Sequence, residues 1–338
     1  MPKRWKRTLL YAGYLLLVTL PLLEMGVRIW GYAERHIYDP IYRSFEPSKD
    51  IPYIHKPNLL HARARGLAVI NTDSLGLRAT TSGMVYGTKP PHEYRIAIVG
   101  DSVTFGEGIP GTEDTYAQVL EDTLNRQQQA VAVKVFNFGA SAYSVKQMAA
   151  MVQSRMVDIQ PDLVVMAIIP QDFNLSRTPI IDAAGYLVDQ RIGILLDSPV
   201  REVLRGVHLL YVLREIALPW FSSSQDISSL LSYGEIPDSY RYVQRFKETA
   251  DQYGLPSLIM LLPRMEENAW GSLSDRLSKD AIKYLDLSSL SKEFTKEEYM
   301  ASRFDSHASP AVHHRIGEAF AEYVQKGPME NPRRVGHK

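Results

Sequence analysis

The chain contains no cysteine, which removes disulfides, zinc–thiolate sites, iron–sulfur clusters and a thiolate nucleophile together. It has no net charge either. With 38 Lys and Arg against 38 Asp and Glu, no global basic field draws a phosphate backbone, and nucleic acid is not expected as a partner. His-Glu-x-x-His is absent, as is a Walker loop, and Gly100, Gly106 and Gly108 do not have the spacing of a dinucleotide fingerprint. Neither repeats nor low-complexity tracts occur. What is present is a globular balance: 45% hydrophobic and 22% charged residues over 338 positions, enough to bury a sizeable core.

The charge missing from the total is concentrated at the start. Lys3, Arg4, Lys6 and Arg7 directly precede an apolar run over 9–23. Glu24 and Arg28 follow one helical turn apart, so they can pair or snorkel and extend the span to about Trp30. No small-residue cleavage motif comes after the run, which favours an uncleaved signal anchor with Trp30 and Tyr32 at the interface. The basic cluster predicts a cytoplasmic tail over 1–7, a transmembrane anchor over 8–30 and everything beyond on the far side of the inner membrane, in the periplasm. Residues 31–92 read as a connector with short strands, 93–326 as a catalytic domain and 327–338 as a flexible tail.

Within 93–326, apolar runs alternate with helical spacing. Strands are expected at 94–100, 131–139, 161–169, 255–263 and 281–287, with helices at 115–128, 145–158, 239–253 and 310–324, the last opened by Ser309-Pro310. Residues 201–221 also have helical spacing and read as a helix packed on the core, with a lid or membrane-surface helix as alternatives. The alternation implies an α/β fold, a parallel sheet covered by helices on both faces.

In such sheets the reacting groups collect at the carboxyl ends of the strands. Those ends carry Gly100-Asp101-Ser102, Asn137-Phe138-Gly139 and Pro170-Gln171-Asp172-Phe173-Asn174, and the loop before the last helix carries Asp305-Ser306-His307. A serine hydroxyl needs a base to become a nucleophile. His307 is the candidate base and Asp305 the group that orients it. The oxyanion formed on attack needs preorganised donors, for which the backbone N–H groups of Ser102 and Gly139 and the side-chain amide of Gln171 or Asn174 are available. Asp101 and Asp172 read as loop-ordering carboxylates. His313 and His314 read as partly exposed helix residues, too divergent in direction to share a metal.

Gly100-Asp101-Ser102-Val103-Thr104-Phe105-Gly106 resembles the nucleophile block of the SGNH (GDSL) hydrolase family. Asn137-Phe138-Gly139 is similar to its second block and Asp305-Ser306-His307 to its acid–base block. Asp73-Ser74-Leu75-Gly76-Leu77-Arg78 resembles the Gly-hydrophobic-Arg segment of membrane-anchored bacterial members. The resemblance implies a flavodoxin-like α/β/α sandwich, a Ser102–His307–Asp305 triad and chemistry on acyl esters without metal or organic cofactor. Two positions depart from the pattern: Gln171 stands where the third block has asparagine, and Ala142 where a second glycine is common. The expected function is an extracytoplasmic serine esterase acting on acyl esters, chiefly O-acetyl, of an envelope glycan, an exported polysaccharide or a lipid. The alternatives are an O-acyltransferase using the same acyl-serine, or an impaired binding module working with an envelope-assembly partner.

Overall fold

The structure, a computed structural model, describes residues 3–65, 68–127, 131–176, 180–188, 206–217, 227–266 and 269–327. The chain falls into two units, Met1–Ile37 with Gln190–Ser224, and Tyr38–Asp189 with Gln225–Lys338.

The first unit is built on helix α1 (Arg4–Trp30), whose 27 residues include an apolar window with no buried position. At 1.5 Å per residue it is about 40 Å long, more than the roughly 30 Å of hydrocarbon in a bilayer. Glu24 and Arg28 do pair, at 2.8 Å. Glu24 also accepts the N–H groups of His208 (2.9 Å) and Leu209 (2.7 Å), which open a second helix of this unit, His208–Ala217. Of the helix expected over 201–221, Gly206 and Val207 precede the observed helix and the remainder lies outside the described residues.

The second unit holds a five-stranded parallel sheet: β1 (Glu93–Val99), β2 (Ala132–Asn137), β3 (Leu163–Ile168), β4 (Ser257–Leu261) and β5 (Tyr284–Asp286), in the order β5-β4-β3-β1-β2. This is the flavodoxin-like order, with its switch point between β1 and β3. Strands buried on both faces need apolar residues at every position, and β3 reads Leu-Val-Val-Met-Ala-Ile accordingly. Ile96, Ile98, Val165 and Met260 pack into one core with helices α2 (Tyr116–Gln127) and α3 (Pro310–Lys326). Ala97, Val99, Met166 and Ile259 turn to the opposite core, which includes the segment from Val145 and the helix Arg241–Gln252. The expected 145–158 helix is irregular: its α-helical part is Val145–Met151, a wider turn follows over Val152–Met156, and a tight one over Val157–Ile159.

Residues 38–92 pack into this unit as well. They form the short pair Tyr42–Ser44 with Tyr53–His55 and a three-stranded sheet from Ala62–Arg63, Val69–Thr72 and Arg78–Ala79. Gly76 stands at φ +79°, and an added Cβ would lie 2.4 Å from the His55 carbonyl oxygen, so only glycine fits this turn. The turn delivers Arg78 into the interior, where its guanidinium donates to the carbonyls of Phe105 (3.2 Å), Gly106 (2.5 Å) and Ile109 (2.8 Å) and to Thr112 Oγ1 (3.3 Å). The connector therefore braces the loop that follows the Gly100–Ser102 segment.

Candidate active site

Ser102 leaves the carboxyl end of β1 as the first residue of a one-turn helix, Ser102–Phe105. Asp101 caps that turn by accepting the Val103 N–H at 2.9 Å, the turn-shaping role its position predicted. Gly100 permits the close approach: an added Cβ would lie 1.9 Å from Thr104 Oγ1 and 2.7 Å from the Ala167 carbonyl oxygen. As a first-turn residue Ser102 has no intrahelical acceptor for its own N–H.

Across 205 positions of sequence, His307 Nε2 lies 3.0 Å from Ser102 Oγ, and His307 Nδ1 lies 2.5 Å from Asp305 Oδ1. A carboxylate only accepts, so Nδ1 carries the hydrogen and Nε2 is left to accept from the serine hydroxyl. Asp305 also accepts the His307 backbone N–H at 3.1 Å, which fixes both ends of the pair. The two residues sit on a strand, Asp305–Ala308, paired antiparallel with Met300–Ser302; α3 then starts at Pro310 with Ser309 as its cap. Burial alone would lower the His307 imidazole, but the hydrogen bond to Asp305 and the carboxylates of Glu107 and Asp101 outweigh it and hold the group above its ordinary value. Burial would raise Asp305, and the bond from His307 brings it below the usual carboxylate range. Such a chain can take a proton from the hydroxyl and stabilise the imidazolium that results.

The expected oxyanion donors fare differently. The Gly139 N–H donates to Asn137 Oδ1 at 2.9 Å. Glycine is needed there for packing: an added Cβ would lie 2.3 Å from the Phe105 nitrogen. Asn174 turns its Oδ1 to the Ser176 N–H (3.0 Å) and hydroxyl (2.6 Å), a local turn cap. Gln171 lies in the tight turn Pro170–Phe173 after β3, and its buried Oε1 has no hydrogen-bond partner among the described residues. Asp172 orders that turn by accepting the Ile169 N–H at 2.8 Å. Ala142 takes up the glycine-like backbone of the position it fills, at φ +65°.

His313 is not partly exposed. It is fully buried beneath Tyr116, whose N–H donates to its Nδ1 at 3.1 Å, and burial pulls its imidazole down to about 3. The helix phase turns it inward while its neighbour His314 stays outside, 3.0 Å from Asp114.

One group beside Ser102 and His307 escapes the sequence reading. Glu107 is buried and places Oε2 3.9 Å from His307 Nε2; it accepts the Ser141 hydroxyl at 2.8 Å and pairs with Arg65 at 3.3 Å. The signal for it was a carboxylate between two glycines just after the nucleophile block: Gly106 and Gly108 have φ +85° and +81°. A surface depression of about 560 Å³ lined by Glu113, Asp122, Arg126 and His314 contains none of these groups. Among the described residues no three His, Asp or Glu side chains are grouped to hold a metal ion.

Fold and site together define a flavodoxin-like α/β domain with a hydrogen-bonded Ser–His–Asp chain at the sheet's switch point. The chain belongs to the GDSL-like lipase/acylhydrolase family, whose model matches residues 96–320, more than half of its length. Solved structures with which it shares similarity include a lipolytic protein of the G-D-S-L family from Veillonella parvula DSM 2008 (14% identity, 69% of this chain and 99% of that one, TM-score 0.40). A lipase/acylhydrolase from Enterococcus faecalis is similar at 11% identity (69% and 96%, TM-score 0.41). So is a two-domain esterase active on acetylated mannans, at 12% identity over 71% of this chain but only 52% of that one (TM-score 0.43). No curated protein matches the sequence.

Proposed function

We propose that the protein is a membrane-anchored serine esterase whose catalytic unit works outside the cytoplasm. The observation that carries the chemistry is the continuous hydrogen-bonded chain from Ser102 Oγ through His307 Nε2 and Nδ1 to Asp305 Oδ1, at 3.0 and 2.5 Å. Ser102 Oγ attacks the ester carbonyl while its proton passes to Nε2. The tetrahedral intermediate expels the alcohol, which takes that proton from Nε2 and leaves an acyl-serine. Water, deprotonated by His307, attacks the acyl-serine in turn, releasing the carboxylic acid and restoring Ser102. The Ser102 N–H and the Gln171 side-chain amide are the oxyanion donors in this reading. The Gln171 amide must then present its nitrogen, which places its unpartnered oxygen away from the reacting carbonyl.

Anchoring rests on α1, a helix of spanning length with the four cations Lys3, Arg4, Lys6 and Arg7 at its amino end, which set the cytoplasmic side. A catalytic unit tethered outside the bilayer meets envelope glycans, exported polysaccharide and lipids, and the substrate we propose is an O-acetyl ester on a glycan. The test uses the full chain in detergent, with an O-acetylated polysaccharide and a long-chain lipid ester as competing substrates. Acetate release that disappears in Ser102→Ala supports the reading. Acetate transfer to an added sugar in place of water would make the protein a transferase, and preference for the lipid ester would overturn the glycan assignment.

A further inference from the structure

The triad leaves one buried carboxylate beside it without a role. Glu107 projects inward from a turn that only two left-handed glycines allow, and an added Cβ at Gly108 would strike Asp305 Oδ2 at 2.9 Å. The glycines thus bring the Glu107 segment against the acid–base strand. Glu107 Oε2 stands 3.9 Å from His307 Nε2, the nitrogen that faces Ser102 Oγ, while Asp305 holds the opposite ring nitrogen. Its oxygens are themselves held by the Ser141 hydroxyl and by Arg65, so the carboxylate cannot swing away.

We propose that Glu107 is a positioning residue for His307: a second carboxylate that stabilises the imidazolium from its Nε2 side, with Arg65 setting how strongly it acts. The proposal rests on the serine-esterase reading. A histidine between two carboxylates keeps its proton more firmly than one with a single partner, because each negative charge within about 4–6 Å favours the charged form. When Ser102 gives up its proton, the new N–H appears on the ring nitrogen that Glu107 faces. Arg65, paired to the other oxygen of Glu107, offsets part of that field. The remaining charged or titratable groups around His307 are Asp305 on its own strand, Asp101 before the nucleophile, and His313 in α3; Arg264 acts through Asp101. Asp101 is held at Oδ1 by the Val103 N–H at 2.9 Å and adds its own field, while Glu107 Oε2 is the carboxylate oxygen within 3.9 Å of Nε2.

The test is the pH dependence of fluorophosphonate labelling of Ser102 in the full chain in detergent, which needs no knowledge of the natural substrate. Glu107→Gln keeps the side chain's shape and its acceptor for Ser141, and the acid limb of its labelling rate should move down by about one pH unit, the low end of what one nearby opposite charge contributes. Arg65→Met should move the limb up, since the offsetting cation is lost. Loss of labelling amplitude with both limbs at the wild-type pH would show a merely structural ion pair and overturn the proposal. A limb that moves up in Glu107→Gln, or down in Arg65→Met, would overturn it too. If Glu107→Gln does not fold, the direction of the Arg65→Met shift decides alone. A wild-type protein whose Ser102 is not labelled at any pH would overturn the serine-esterase reading, and this proposal with it, which separates the two failures.

Discussion

Replacing Arg78 by Met removes the cation that ties residues 38–92 to the loop that follows Ser102. Arg78 is 5% exposed, and its guanidinium donates to three backbone carbonyls, of Phe105, Gly106 and Ile109, as well as to the Thr112 hydroxyl. Among the described residues no carboxylate bonds to it directly, and burial pulls the guanidinium down to about 9, with Glu113 and Asp114 opposing the shift. Methionine fills much of the same volume but leaves those carbonyls buried without a donor, at about 1–3 kcal/mol each. Relief of the guanidinium's own burial cost, several kcal/mol per buried ion, offsets part of the sum. A net loss of about 3 kcal/mol is expected, which for a domain of this size lowers Tm by about 6–12 °C. Thermal unfolding of wild type and Arg78→Met followed by intrinsic fluorescence measures it. Because Phe105 and Gly106 end the helical turn that begins with Ser102, fluorophosphonate labelling should slow in the folded variant as well. A change below about 1 kcal/mol with unchanged labelling would mean that the carbonyls find other donors and that the connector does not brace the site.

Asp305→Asn should lower kcat by about 10⁴-fold while leaving the fold intact, because the neutral amide no longer fixes the Nδ1–H tautomer. The wild-type rate should rise through an acid limb above pH 6.5, since His307 must be neutral to act as base and its folded-state value is raised; in Asp305→Asn what activity remains should have its limb at lower pH. The same shifts make stability pH-dependent. The contribution from His307 is complete below about 6.5 and is lost as pH rises through its raised folded value, while that from Asp305 is complete above about 3.8 and is lost as pH falls through its lowered one. Gln171→Ala should cost about 10²–10³ in kcat with little change in KM, the loss of one oxyanion donor. Steady-state kinetics on a short-chain aryl ester would show a change confined to KM if Gln171 only lines the pocket.

The sheet was legible in sequence because strands buried on both faces are continuous apolar runs, and glycines mark where they end; β1 stops at Val99 just before Gly100. Ser102, Asp305 and His307 were legible because each lies in a short contiguous block at a strand end or loop, and the fold brings those ends together. The hydrogen bond from the Gly139 N–H to Asn137, two residues earlier, was not legible, because sequence does not show where a neighbouring side chain points. The burial of His313 depended on helix phase against Tyr116, a contact 197 positions apart. Glu107 was passed over because a carboxylate in a glycine turn reads as solvated until Ser141 and Arg65 are placed against it. Gln171 shows the opposite case. Its departure from the family pattern was visible in sequence, whereas the lack of a hydrogen-bond partner for its buried Oε1 among the described residues was not.

In the proposed mechanism Ser102 is the nucleophile and His307 its base. Full-length protein in detergent, beside Ser102→Ala and His307→Ala, should be exposed to a fluorophosphonate and the adduct located by peptide mass spectrometry. A single adduct on Ser102, absent from Ser102→Ala and strongly slowed in His307→Ala, is the result expected. A folded wild-type protein that acquires no adduct on Ser102, or whose Ser102 reacts as fast without His307, would contradict the account.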